Sequence, residues 1–272
     1  MKRISWKSLL GLLALITIQI SLASERVGNF ALLDHEGAYH QLRKYGDSRA
    51  VVIISVASRC EENINKLPKY RLLRTTWERQ GITLLAIDSA AEDDLDDVRR
   101  MDELYNFELP ILLDDSQLVA ESLGLSKAGQ VVVLEPNRYQ ILYRGGLDID
   151  PLRAQPQLGI EGRPGSSVLA ETLSKIVAGD LDSFDEVVTT AAIGCDLAFP
   201  ARDIHSKKAP DYATEVAPIL QARCTNCHTK GGVAPFAMDS YMMVLGWSAM
   251  MKEVILTKRM PPAQVDPSIN HF

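Results

Sequence analysis

Apolar residues in the first two thirds of this chain alternate between unbroken runs and helical spacings, which predicts interleaved strands and helices. Residues 50–56 (AVVIISV) are continuous and rich in β-branched side chains, the pattern of a strand buried on both faces. Residues 61–80 place Leu67, Tyr70, Leu73 and Trp77 three and four apart, which predicts an amphipathic helix. Pro68 marks where its regular part begins, and Gly81 ends it. Residues 82–87 (ITLLAI) form a second buried strand, and residues 93–105 an acidic, solvated helix. Residues 109–113 are a third strand ahead of the turn residues Asp114 and Asp115. A short helix over 116–123 stops at Gly124. Two further apolar runs, 131–134 and 139–143, flank Glu135-Pro136-Asn137-Arg138 as a hairpin. Residues 166–178 close the unit as an amphipathic helix.

Beyond residue 180 the rhythm fades. Residues 181–210 read as a linker of small and polar residues ending at Pro210. In residues 211–272 the pattern turns purely helical. Thr214 is placed to cap a helix from Glu215, with Val216, Ile219 and Leu220 on one face. Asp239 or Ser240 caps a second helix to about Lys258, along which Met243, Val244, Trp247, Met251, Val254 and Ile255 recur.

The extreme N-terminus is different again. Lys2, Arg3 and Lys7 precede an uncharged run over 9–20 and then Ser21-Leu22-Ala23. Residues 1–23 therefore read as a signal peptide, and the mature protein is expected to be periplasmic or secreted. The apolar run is short for a membrane span, so no stable membrane insertion is expected after cleavage. The chain of 272 residues carries a formal charge of −6, and losing residues 1–23 makes it more acidic. That balance disfavours nucleic acid and anionic membranes as partners.

Chemistry concentrates on the four cysteines. Cys224-Thr225-Asn226-Cys227-His228 is a C-x-x-C-H run, the attachment signature of one covalent haem c. Two thiols at this spacing add to the two vinyl groups of one porphyrin, and the next histidine is held under the iron as proximal ligand. A zinc half-site is the alternative, but only His271 lies downstream and no cysteine follows. Met260, standing before Pro261-Pro262, is the candidate distal ligand. His271 or an open sixth position are the alternatives.

Cys60 follows the first central strand, with Arg59 beside it, a position that stabilises a thiolate. Glu61 and Glu62 oppose ionisation there. Cys195 lies in the linker, either as a disulfide or resolving partner of Cys60 or as an unpaired thiol. His35, His40 and His205 read as solvated or structural, and Glu92 to Asp97 as the start of a helix.

The element order over residues 24–180 resembles a thioredoxin-like α/β domain of the redoxin branch, the relatives of the peroxiredoxins. The resemblance rests on Cys60 after the first central strand, Leu109-Pro110-Ile111-Leu112-Leu113-Asp114, the hairpin around Pro136, and Tyr143-Arg144-Gly145-Gly146. Several positions depart from those families' patterns. Asn63 stands where a C-x-x-C pair needs its second cysteine, and Ile64 where a C-x-x-x-C copper chaperone needs one. Ala57 replaces the peroxide-positioning Thr or Ser, and Ala128-Gly129 replaces the usual proline loop.

Residues 211–272 resemble a small all-α cytochrome c module of bacterial redoxin–cytochrome proteins. The runs carrying this are Glu215 to Leu220, Cys224 to His228, Ala234-Pro235-Phe236 and Arg259-Met260-Pro261-Pro262. Many such proteins continue into a copper-dependent monooxygenase of the ascorbate-dependent type. The resemblance implies Cys224 and Cys227 bonded to haem, His228 proximal and Met260 distal. A C-terminal helix usual in such modules does not follow, which implies a truncated domain or one completed by a partner. No copper-binding His or Met cluster follows either, so monooxygenase activity is not implied.

The expected function is single-electron transfer between redox donor and acceptor proteins. The alternatives are a thiol-dependent peroxidase or disulfide oxidoreductase acting through Cys60, or a docking relay for a copper monooxygenase.

Overall fold

The computed structural model describes residues 25–147 and 167–261. The reading of residues 1–23 and His271 lie outside them. Strands β1 (Ala31–Leu33) and β2 (Tyr39–Gln41) form a small antiparallel ribbon. The main sheet then takes β3 (Ala50–Val56), β4 (Ile82–Asp88), β5 (Ile111–Leu113), β6 (Gln130–Glu135), β7 (Gln140–Gly146) and β8 (Val188–Thr189). Its spatial order is β5-β4-β3-β6-β7-β8. β3, β4 and β5 run parallel, while β6 is antiparallel to β3 and to β7. This is the thioredoxin-like α/β domain expected from the sequence.

Every residue of β3 is buried, and the pleat sends alternate side chains to opposite faces. Val52, Ile54 and Val56 meet helices α2 (Leu67–Trp77), α3 (Leu95–Tyr105) and α5 (Val168–Val177) through Tyr70, Leu73, Val98, Met101, Leu169 and Leu173. Val51 and Ile53 face Phe30, Leu42 and helix α4 (Leu118–Leu123).

The single helix expected over 61–80 is divided. α1 (Glu61–Ile64) stops, and α2 starts afresh at Leu67. Pro68 explains the break: it lacks the N–H that would bond to the Ile64 carbonyl, and its ring would collide with that oxygen. α2 passes into a tight turn over Glu78–Gln80 and ends at Gly81, whose φ of 83° suits glycine. α3 begins later than expected because Asp94 and Asp97 form a reciprocal cap at its N-terminus.

The stretch read as a linker is largely built into the first domain. β8 adds to β7, and Leu197 and Phe199 pack under the sheet beside α4. Helix α6 (Pro200–Lys207) follows. Asp211, rather than Thr214, caps the next segment by accepting from the Thr214 N–H and hydroxyl. A wide turn over Tyr212–Val216 precedes α7 (Ala217–Arg223), since Pro218 again removes a donor. α8 (Tyr241–Leu256) is capped by Ser240. Its C-terminal end rests on the first domain, where the Tyr39 hydroxyl donates to the Thr257 carbonyl at 3.0 Å. Among the described residues no helix is long and apolar enough to cross a membrane.

Candidate functional site

β3 delivers the chain to Ala57, where the Cys60 N–H closes a tight turn on the Ala57 carbonyl at 3.3 Å. Cys60 then caps α1. Its side chain is 2 % exposed and packs against Ala57 and Ala128. Asn63, in the place of a second C-x-x-C cysteine, is structural. Its amide donates to the Ala57 carbonyl at 3.4 Å, and its oxygen accepts from the Tyr70 hydroxyl at 3.1 Å. Burial pushes the Tyr70 phenol well up, so it stays a donor.

Cys195 is bonded to Cys60 as a disulfide, with the Cα atoms 5.8 Å apart. Of the two states left open by the sequence, the structure adopts the bridge. The arm carrying Cys195 is held mainly through backbone. The Ala128 N–H donates to the Cys195 carbonyl at 2.9 Å, and the Leu197 N–H to the Ser126 carbonyl at 2.9 Å. The Lys66 ammonium donates to the Ile193 carbonyl. The approach is close enough to require glycine. A Cβ on Gly194 would lie 1.7 Å from the Ala128 oxygen, and one on Gly146 2.5 Å from the Ala191 oxygen.

Two groups set the electrostatics at the sulfurs. The Cys195 N–H points at the Cys60 sulfur at 3.2 Å and would stabilise a thiolate there. Opposing it, Glu62 Oε2 lies 3.1 Å from the Cys195 sulfur and 3.5 Å from that of Cys60. Sequence reasoning counted Glu62 only as an inhibitory charge, and its contact with both sulfurs depends on an arm 133 residues away. Arg59 does not serve the thiol: its guanidinium binds Asp97 at 2.6 Å and Asp93 at 3.4 Å. That bond holds the Asp97 carboxyl below its usual range.

Two buried acids at the strand ends were not read from the sequence. Burial, then the charge of Asp93, pushes the Asp88 carboxyl well up. Burial raises Asp114 to about 6. The only signal for either was an acid closing an apolar strand.

The second constellation sits at the end of α7. The His228 N–H bonds back to the Cys224 carbonyl at 3.0 Å, and the loop after it returns, with the Met238 N–H on the His228 carbonyl at 2.9 Å. The ring of His228 is buried, and its Nδ1 lies 3.1 Å from the Phe236 carbonyl oxygen. A carbonyl only accepts, so Nδ1 carries a proton, which in the neutral tautomer leaves the Nε2 lone pair for a ligand. Cys224 and Cys227 are free thiols, half-buried and exposed respectively, and burial raises the Cys224 pKa.

Phe236 stacks on Trp247 of α8, with ring centroids 4.9 Å apart. The methionine- and tryptophan-rich helix α8 is mostly uncovered. Met242, Met243, Leu245, Trp247, Met250 and Ile255 are exposed, and only Val244 within the helix is buried. A cleft of about 360 Å³ opens beside Trp247, Met242 and Met243. Met260 follows α8, exposed, its N–H on the Val254 carbonyl at 3.1 Å. No hydrogen bond or ring contact among the described residues joins it to His228.

Cys224, Cys227 and His228 do not form a ready-made zinc site. Among the described residues, ligand atoms converge in only one group of three, and that group is not Cys224, Cys227 and His228.

The AhpC/TSA family model matches residues 23–147. No curated protein matches the chain. Among solved structures, an uncharacterized conserved protein from Geobacillus kaustophilus is 20 % identical, with a TM-score of 0.52, covering 66 % of this chain and 94 % of its own. A protein from Sinorhizobium meliloti 1021 is 22 % identical over 64 % of this chain and 92 % of its own, with a TM-score of 0.49. Peroxidoxin BcpB from Mycobacterium tuberculosis is 16 % identical over 57 % and 93 %, with a TM-score of 0.40. The likeness to the Geobacillus kaustophilus protein, at 20 % identity, concerns the fold alone.

Proposed function

We propose that this chain is an AhpC/TSA-type redoxin whose Cys60 and Cys195 cycle between disulfide and dithiol. The Cys60–Cys195 bridge, on an arm fitted to the loop before β6, carries the reading. Cys60 is buried and Cys195 only half covered, so an incoming thiolate attacks the Cys195 sulfur. The S–S bond breaks, and Cys60 leaves as a thiolate facing the Cys195 N–H. A second external thiol then displaces the mixed disulfide. The net change is two electrons and two protons taken by the protein, with an external dithiol oxidised to its disulfide.

Disulfide exchange is favoured over peroxide reduction because Ala57 offers no hydroxyl to position a peroxide and the arm covers Cys60. The test is oxidation of a model dithiol by the full chain, with Cys60→Ser and Cys195→Ser as controls. Both variants should lose turnover. Activity retained in either, or oxidation of the reduced chain by hydrogen peroxide at rates far above those of a free thiol, would overturn this assignment.

We further propose that the C-terminal region is a cytochrome c-like module carrying one covalent haem c. The observation favouring it is the His228 Nδ1 bond to the Phe236 carbonyl, the kind of outer contact that orients a metal-bound imidazole. Cys224 and Cys227 would hold the porphyrin by thioethers, His228 Nε2 would hold the iron, and Met260 is the proposed sixth ligand. When bound, the group supplies reversible one-electron chemistry. The chain's own part is to fix the imidazole and to offer the apolar face of α8. Export to a periplasmic or extracellular compartment accords with the Cys60–Cys195 bridge, and redox donor and acceptor proteins are the expected partners. A chain made in a host that attaches haem c should show a reduced-minus-oxidised α-band. A colourless product with the mass of its polypeptide would end this second reading.

A further inference from the structure

Besides exchanging electrons, the Cys60–Cys195 pair has a carboxylate that belongs to neither cysteine's bond. The sulfurs of Cys60 and Cys195 and a carboxylate oxygen of Glu62 all lie within 4.8 Å of one another. Cys60 and Glu62 are fixed by the start of α1, while Cys195 arrives on the arm. The three therefore converge only because the fold brings residue 195 back to residues 60 and 62.

In the disulfide each sulfur has spent its bonding capacity on the other. Two electrons and two protons from an external dithiol would leave two thiols beside one carboxylate. Resting on the proposed redox cycle, we infer that the reduced pair, with Glu62, is a binding site for a thiophilic divalent cation of the Zn²⁺ class. Binding exchanges the two thiol protons for two metal–sulfur bonds, and Glu62 supplies the oxygen ligand.

Tetrahedral Zn²⁺ with Zn–S near 2.3 Å and Zn–O near 2.1 Å needs sulfur–oxygen separations of about 3.6 Å. Glu62 Oε2 already stands 3.1 and 3.5 Å from the two sulfurs. The adjustment required is a parting of the sulfurs to about 3.8 Å, on an arm whose own attachment is mainly backbone. Two soft thiolates with one carboxylate suit Zn²⁺ better than a monovalent copper ion, which prefers sulfur alone. Two thiolates and a carboxylate against Zn²⁺ leave one excess negative charge, and one cation fixed to the arm is the Lys66 ammonium on the Ile193 carbonyl. Three protein ligands leave one coordination position for solvent or a partner's group. Oxidation to the disulfide would expel the ion, and a bound ion would block reoxidation.

The test uses the full chain in parallel oxidised and phosphine-reduced samples, freed of reductant without air. Thiols are counted by alkylation, and Zn²⁺ is titrated against a chromophoric chelator. The reduced chain should bind one Zn²⁺ more than the oxidised chain, whatever Cys224 and Cys227 contribute to both. Cys195→Ser should lose that ion, and Glu62→Gln should weaken it by about tenfold or more, as loss of ligand support commonly does. With Co²⁺ the reduced chain should give a stronger thiolate charge-transfer band than the oxidised one. Thiols released without an additional ion, an additional ion surviving in Cys195→Ser, or unchanged affinity in Glu62→Gln would overturn the site while leaving the redox cycle intact. A bridge that releases no thiols would sink both.

Discussion

Asp114 shows how a single residue couples this fold to pH. Its carboxylate accepts from the Val119 and Ala120 N–H groups, so it anchors the start of α4, yet burial raises its pKa to about 6. The unfolded value is near 4. Between about pH 4 and 6 the native chain therefore holds a proton that the unfolded chain has released, and stability falls as pH rises through that window. A shift of about two units corresponds to about 3 kcal/mol. Asp88, pushed the same way by burial, adds to the trend. Urea unfolding followed from pH 4 to pH 7 should show this decline in the wild type and a shallower one in Asp114→Asn. Parallel profiles would refute the assignment. At this scale the sequence was partly legible. Cys60 announced itself by position after an apolar strand, and Asn63 by failing to be cysteine. Glu62 and Asp114 did not, because their roles depend on neighbours far along the chain and on depth of burial.

At the level of elements, the arm after β8 is the part the sequence hid. Helices declare themselves by period and central strands by unbroken apolar runs, and Pro68 marks where the regular part of the helix before Gly81 begins. Residues 190–197 show no period because they are held mainly by backbone groups and by the absence of side chains. Gly194 is the sensitive point, since an added Cβ would meet the Ala128 oxygen at 1.7 Å. Gly194→Ala should dislodge the arm at a cost of about 1–3 kcal/mol, typical of overpacking. That lowers the effective proximity of the two thiols by about tenfold or more. Reoxidation of the reduced variant should slow accordingly, measured by thiol alkylation over time, while the dithiol form keeps its secondary structure. Reoxidation at the wild-type rate would mean that the fit of the arm does not govern the bridge. Cys195→Ser, which removes a cross-link spanning 135 residues, should cost about 2–4 kcal/mol in the oxidised state.

On the scale of the whole molecule the two regions differ in how completely they bury what their sequences offer. The thioredoxin-like domain hides its central strands β3 and β6 on both faces. α8 instead leaves Met242, Met243, Leu245, Trp247 and Met250 to solvent along one 16-residue helix. Apolar surface of that extent is normally covered in a stable protein. The C-x-x-C-H motif at the end of α7 supplies a reason for it, because a covalently held porphyrin would lay a large apolar plate near His228 and Phe236. The stripe was legible as helical from its spacing, but spacing alone did not say whether protein or another group would cover it. The consequence is measurable without any activity assay. Full-length protein made without haem attachment should bind a hydrophobic dye strongly and be cut by protease preferentially within residues 211–261. Protein made with attachment should lose most of both responses, since a group that binds only the folded form stabilises it. A Cys224→Ser/Cys227→Ser chain should behave like the first sample in either host. Equal dye binding and equal cleavage in all three would mean that no prosthetic group covers α8, and would remove the argument from its exposed face for the C-terminal region as a haem module.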